Sequence, residues 1–280
     1  VIIWLASYPK SGNTWLRSII SSLLYSKDGN FDFELLKKIR QFPEKQFFKD
    51  IMTDFSNFNE IKKNWITAQE KINLSKNIKI FKTHQGKYTL GGHNFTDNNN
   101  TLAIIYVVRD PRNLVKSLSH HFDLSLEKAS EFLLAPKVIG NGEKWEKKKD
   151  GMYNLLGKWN DHYRSWTRNN NNLLLVKYED LLTNTETQMY RIIDFLSRYI
   201  KFETDSVKNR KILETTSFKN LQDMEKQGKF IENIITQNSN KKKFFHLGPD
   251  NEWRESLNKN IIEKIENNFN DEMKELGYLN

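Results

Sequence analysis

The 280-residue chain contains no cysteine. That excludes a disulfide framework and any cysteine-based zinc site, and it suits a reducing compartment. No apolar run approaches the ~18–20 residues of a membrane span, and no stretch has the build of a signal peptide. His-Glu-x-x-His and similar metal-ligand spacings are missing, as are the upstream glycines of a GxxxxGK[ST] triphosphate loop. No internal repeat and no linker divides the sequence, so one domain over residues 1–280 is expected.

What the chain does contain is enough for a sizeable core. Hydrophobic residues make up 38%, with Phe 18, Tyr 10 and Trp 7, which argues against disorder. Lys+Arg 44 against Asp+Glu 35 leaves a net charge of +9, a balance that favours anionic partners. Short β-branched or aromatic runs at Val1–Ala6, Ile78–Phe81, Leu102–Val108, Leu173–Val176 and Phe244–Phe245 read as buried strands. Helical patterns lie between them. One runs over Asn13–Tyr25 and one over Glu186–Tyr199, the latter opened by a capping box at Thr183–Glu186; a final helix spans Leu257–Leu276. This order predicts an α/β fold with a central, mainly parallel sheet flanked by helices and a P-loop-like strand-loop-helix at its start. The polar stretches 91–101, 140–151 and 236–243 read as surface loops.

The stretch "SYPKSGNTW" (7–15) joins the first strand to the first helix. Such a loop faces the carboxyl edge of the sheet, where its N–H groups and the helix N-terminus favour an anion. Gly12 permits close backbone approach, Lys10 adds charge, and Ser11 and Thr14 add hydroxyls. A second element, "YVVRDPRNLVKSLSHHF" (106–122), ends a strand at Arg109 and places Ser117 on the following helix, so both can converge on one phosphate. Taken alone, either stretch is also an ordinary turn.

Together the two elements resemble the sulfotransferases, of the cytosolic type, that use 3′-phosphoadenosine 5′-phosphosulfate (PAPS). "YPKSGNTW" is similar to that family's 5′-phosphosulfate loop and "RDPRNLVKSLSHHF" to its 3′-phosphate element. "FKTH" (81–84), "GKWNDHYRSW" (157–166), "LLLVKYEDL" (173–181), "TTSFKNL" (215–221) and "HLGPDNEWRESL" (246–257) follow in the family's order, covering nearly the whole chain.

The resemblance implies PAPS as co-substrate, adenosine 3′,5′-bisphosphate as product, and a small-molecule, lipid or carbohydrate acceptor. It implies that Lys10, Ser11, Gly12, Asn13, Thr14 and Trp15 hold the 5′ side and adenine, and that Arg109 and Ser117 hold the 3′-phosphate. Tyr178, Thr216 and Phe218 line the nucleoside, with Gly248 in the closing segment. His84 is the expected general base, its ordinary pKa of about 6.5 suiting proton abstraction. Lys10 and Lys82 are the cations for the transferring group, and Ser117 completes the catalytic set. Of the adjacent pair His120-His121, at most one lines the site. No metal, nucleic acid or membrane span is expected, and a cytoplasmic location is.

The closing segment departs from the pattern. His246 and Leu247 stand where relatives have Arg-Lys, and Lys241, Lys242 and Lys243 are candidate substitutes. Asn13 replaces a Thr or Ser. The charged insert 140–151 is placed beside the acceptor pocket, to which Phe47, Phe48, Phe55, Phe58 and Phe122 are candidate contributors. Two other classes compete. A divergent P-loop kinase or NTPase needs a magnesium carboxylate, for which only Asp110 is at hand. A nucleic-acid binder would use the +9 charge, but the sequence has no recognised motif for it.

Overall fold

Complete burial along the first strand, with side chains alternating between two apolar layers, sets the architecture. In the computed structural model, which describes residues 1–140, 152–230, 234–235 and 241–280, β1 (Ile2–Ser7) is buried on both faces. Ile2, Trp4 and Ala6 enter one apolar layer, whereas Ile3 and Leu5 enter the other. A strand covered on both sides needs parallel partners and helical lids, and it has both.

The sheet adds β2 (Arg40–Gln41), β3 (Lys79–Thr83), β4 (Thr101–Val108) and β5 (Leu173–Lys177), in the spatial order β2-β3-β1-β4-β5 with every pairing parallel. Pairings of Ala6 with Thr83, Ser7 with Val107 and Val108 with Lys177 bring the carboxyl ends of β3, β1, β4 and β5 to one edge.

Helices cover both faces. On one side lie α1 (Asn13–Tyr25), through Leu16, Ile19, Ile20 and Leu23, and the later helix Thr185–Ser197. On the other lie α2 (Pro111–Phe122) and α3 (Trp159–Thr167), the latter burying Trp159, Tyr163 and Trp166. The predicted α/β class, parallel sheet and flanking helices agree with this arrangement.

Several local expectations do not. Phe244–Phe245 forms no strand: both backbone N–H groups donate to the Glu225 carboxylate, at 2.6 and 3.0 Å, so the segment is satisfied without a ladder. The expected helix over Leu257–Leu276 is two pieces, α4 (Lys259–Asn268) and Asn270–Glu275, and a separate short helix, Trp253–Ser256, precedes it. Leu257 is extended and Asn258 caps α4 by accepting from Ile261 N–H at 3.0 Å. No capping box forms at 183–186, because Thr183 ends a preceding short helix and its hydroxyl donates to the Glu179 carbonyl. Thr101 belongs to β4, and a Gly91-Gly92 turn joins the paired residues Thr89–Leu90 and His93–Asn94 within the expected loop. Most of the 140–151 insert lies outside the described residues.

Arg112 ties the start of α2 to the C-terminal helices. Its guanidinium bonds Asp110 at 2.6 Å, Glu266 of α4 at 2.5 Å and the Tyr278 carbonyl at 2.8 Å, and it lies 4.1 Å over Trp253. The buried Asp110 also caps α2 through Arg112 N–H. Arg112→Ala leaves Asp110 buried and unpaired, and is expected to cost about 3–5 kcal/mol, read as a lower urea midpoint.

Candidate active site

Four segments that each begin where a parallel strand ends meet at the carboxyl edge. After β1 the chain turns through Tyr8–Gly12, with Lys10 and Gly12 in the left-handed region at φ 69° and 101°. Gly12 precedes α1 without a side-chain cap, and no acidic residue occupies the first turn, so the helix start keeps its positive end. A Cβ on Gly12 would lie 2.5 Å from Cδ2 of Tyr178, the residue that follows β5. The Tyr178 ring is in turn held by the edge of Trp15 at 5.9 Å and by the Arg109 guanidinium at 4.1 Å.

Arg109 follows β4 and is 5% exposed. Its Nη1 donates to Ser117 Oγ at 3.2 Å and to the Lys10 carbonyl at 3.3 Å. Neighbouring Glu179 accepts instead from Asp110 N–H and the Tyr278 hydroxyl, at 3.0 and 2.8 Å. Ser11 Oγ, Trp15 Nε1 and Arg109 Nε are buried with no hydrogen-bond partner among the described residues. Three orphaned donors beside an uncapped helix start fit a polyanionic nucleotide.

Asn251, which the sequence reading did not single out, closes this cluster. Its Nδ2 donates to Ser117 Oγ at 3.2 Å and to the Asn113 carbonyl at 2.8 Å. It follows the Gly248–Asp250 turn, where Gly248 packs so closely on Phe218 that a Cβ would sit 2.2 Å from the ring. The residues in the Arg-Lys positions do something else. His246 is exposed and stacks face to face on His120, with centroids 3.9 Å apart. Lys242 pairs with Asp123, Lys243 is exposed, and the Lys241 side chain lies outside the described residues.

His84 follows β3. Its Nδ1 lies 2.8 Å from the Ser7 carbonyl and 3.3 Å from Ser7 Oγ. A carbonyl only accepts, so Nδ1 carries the proton and Nε2 the lone pair. The Lys10 ammonium lies 3.8 Å over the Phe244 ring. His121 is the member of its pair that faces these groups. Burial foremost, and then the charge of Lys10 with His84, His120 and Lys82 nearby, pushes its pKa well below the usual value.

Two predicted residues turn elsewhere. The Asn13 amide donates to the Leu5 carbonyl and to Ser7 Oγ, both at 3.1 Å, so only its backbone N–H is left for an anion. Thr216 is fully buried and its hydroxyl donates to the Ile212 carbonyl. Phe48 is fully buried core, whereas Phe47, Phe55, Phe58 and Phe122 are partly buried against it. Asp110, the candidate magnesium ligand, has both carboxylate oxygens engaged by Arg112.

A family model described as the sulfotransferase domain matches residues 2–277. The chain belongs to the sulfotransferase family. It is 28% identical to cytosolic sulfotransferase 12 of Arabidopsis thaliana, over 98% of this chain and 78% of that protein. It is 23% identical to an amine sulfotransferase of Oryctolagus cuniculus, over 98% and 81%. Among solved structures, a mouse sulfotransferase complexed with PAP is similar at a TM-score of 0.60 and 21% identity, covering 97% of this chain and 84% of that one. Retinol dehydratase in a complex with retinol and PAP is similar at 0.59 and 19%, covering 98% and 81%. These likenesses establish the fold of this sulfotransferase. Among the described residues no helix is long and apolar enough to cross a membrane.

Gly12→Ala in this sulfotransferase meets both left-handed strain and the Tyr178 ring, whereas Gly92, at φ 82°, has nothing within 4 Å of an added Cβ. Gly92→Ala is expected to cost about 1–2 kcal/mol of strain. Gly12→Ala should cost clearly more in urea denaturation, and the difference measures the contact with Tyr178.

Proposed function

We propose that this sulfotransferase moves a sulfuryl group in line from PAPS to a hydroxyl or amine of a small-molecule or lipid acceptor in the cytoplasm, with His84 as general base. The observation that carries the reading is the tautomer imposed on His84: the Ser7 carbonyl holds Nδ1–H, leaving the Nε2 lone pair to take the acceptor's proton.

Lys10 and Lys82 supply positive charge where it grows on the bridging oxygen of the leaving bisphosphate and on the transferring group. Lys10 leaves the face of Phe244 to do so. Ser11, the N–H groups of Gly12 and Asn13, and Thr14 bind the 5′ side. Arg109 and Ser117 bind the 3′-phosphate, the buried guanidinium keeping its Nε for the anion. Trp15, Tyr178, Phe218 and Gly248 enclose the nucleoside. The PAP-bound neighbours and the amine sulfotransferase support the donor and an acceptor of small size. Engagement of Asp110 by Arg112 supports a metal-free reaction over a magnesium-dependent kinase or NTPase.

His84→Ala is expected to lower kcat by ~10²–10⁴-fold while calorimetry finds adenosine 3′,5′-bisphosphate bound as in the parent. Full activity of that variant would remove His84 as the base. Lys10→Ala should weaken both bisphosphate affinity and turnover, and unchanged affinity would take Lys10 out of the donor site. Addition of EDTA should leave the rate unaltered; a rate restored only by magnesium would favour the kinase reading.

A further inference from the structure

The segment "GKWNDHYRSW" belongs to the family's pattern, yet none of its side chains enters the roles proposed above. In the structure its helix, α3, runs alongside the chain that leaves β3, and it grips that chain at three points between residues 84 and 87. His162 Nε2 lies 3.0 Å from the His84 carbonyl. Trp166 Nε1 donates to the Gln85 carbonyl at 2.9 Å. Ser165 Oγ accepts from Lys87 N–H at 3.0 Å. His162 and Trp166 stand four residues apart, on one face of the helix, and meet the carbonyls of His84 and Gln85 where the chain bends at Gln85.

We propose that α3 is a backbone clamp that sets the position of His84, with His162 as its positioning residue; the proposal rests on the reading of His84 as the base.

The chemistry of each contact fixes its direction. The His84 carbonyl can only accept, so His162 carries its proton on Nε2. Nδ1 of His162 then has a lone pair, and the Tyr106 hydroxyl, 2.8 Å away on β4, donates into it. Burial, chiefly, pushes the His162 imidazole down to about 3, so it stays uncharged at neutral pH and acts as a hydrogen-bond donor only. Burial likewise pushes the Tyr106 phenol up, which keeps its proton in place. The ring of Tyr8 meets that of His162 edge-on, with centroids 5.5 Å apart. The imidazole is therefore fixed in tautomer and in rotation by groups from β4 and from the phosphate loop.

The clamp itself has a rigid base. Arg164 pairs with Glu272, Arg168 pairs with Glu275 at 2.5 Å, and Tyr163 donates to Glu275 at 3.0 Å, all holding α3 to the C-terminal helix. His84 is thus held from two sides: its ring by the Ser7 carbonyl, its main chain by His162. A base displaced by about 1 Å can lose ~10²-fold in rate, so a second anchor on the main chain acts directly on turnover.

The test compares steady-state kinetics of His162→Phe, His162→Gln and Tyr106→Phe with those of His84→Ala, each checked by calorimetric binding of adenosine 3′,5′-bisphosphate. His162→Phe keeps a flat ring and loses the donor; Gln returns an N–H near the Nε2 position. The clamp predicts a kcat lowered by roughly 10–100-fold in His162→Phe, with the KM for donor and the bisphosphate affinity held within about twofold. It also predicts recovery of most of that loss in His162→Gln and a smaller fall in kcat in Tyr106→Phe. If His162→Phe does not fold, the Gln and Tyr106→Phe variants carry the test, and parental kcat in Tyr106→Phe then overturns the clamp. An unchanged kcat in a folded His162→Phe overturns it as well, as does loss of bisphosphate affinity in step with kcat, which marks a purely structural role. An active His84→Ala would instead overturn the reading of the base, and with it the clamp.

Discussion

The buried guanidinium of Arg109 is the constraint on which the phosphate-loop side of the candidate site depends. A charge this far from water needs compensation. Part of it comes from the Lys10 carbonyl, Ser117 and the face of Tyr178. Each contact in turn organises something else. The carbonyl bond holds the loop in its left-handed turn at Lys10. The stacked Tyr178 occupies the space that any side chain at position 12 would need, which makes glycine obligatory there. Ser117 passes the link on to Asn251 and so to the closing segment. One strand-end arginine therefore connects the phosphate loop, the second phosphate element and the last quarter of the chain.

The side of the site around His84 is built on a different logic, in which backbone carbonyls orient imidazoles. Ser7 O sets the proton of His84 and His84 O sets that of His162, with Tyr106 completing the chain. Rings so held have a defined tautomer and rotation. Lys10 and Lys82 lie near His121, and burial with their charge pushes its pKa down, so the lysines and not this imidazole carry the positive charge there.

Much of this was legible in the sequence, because strand order and strand ends are local signals. Unalternated apolar runs mark β1, β3, β4 and β5, and the residues just beyond them, Lys10, His84, Arg109 and Tyr178, fall at one edge by parallel register alone. What stayed hidden depends on contacts between distant segments. Asn251 looks like any turn asparagine until Ser117 is seen 3.2 Å away. His162 reads as an amphipathic-helix residue until the chain after β3 is laid beside it. Asn13, by contrast, has the right position for the loop, but its amide turns inward to β1 and Ser7. The run at Phe244–Phe245 misleads for a similar reason: two aromatics mimic a strand, and a carboxylate from a separate helix satisfies their amides instead.

The central place of β1 bears on how the molecule is made. It precedes both of its sheet neighbours in the sequence, lying between β3 and β4, which start at residues 79 and 101. Until those arrive, both edges of an almost wholly apolar strand stand open, a template for pairing with other chains. About a hundred residues of sequence therefore separate β1 from the end of its second partner, and the phosphate loop that follows β1 has no scaffold until both partners have paired.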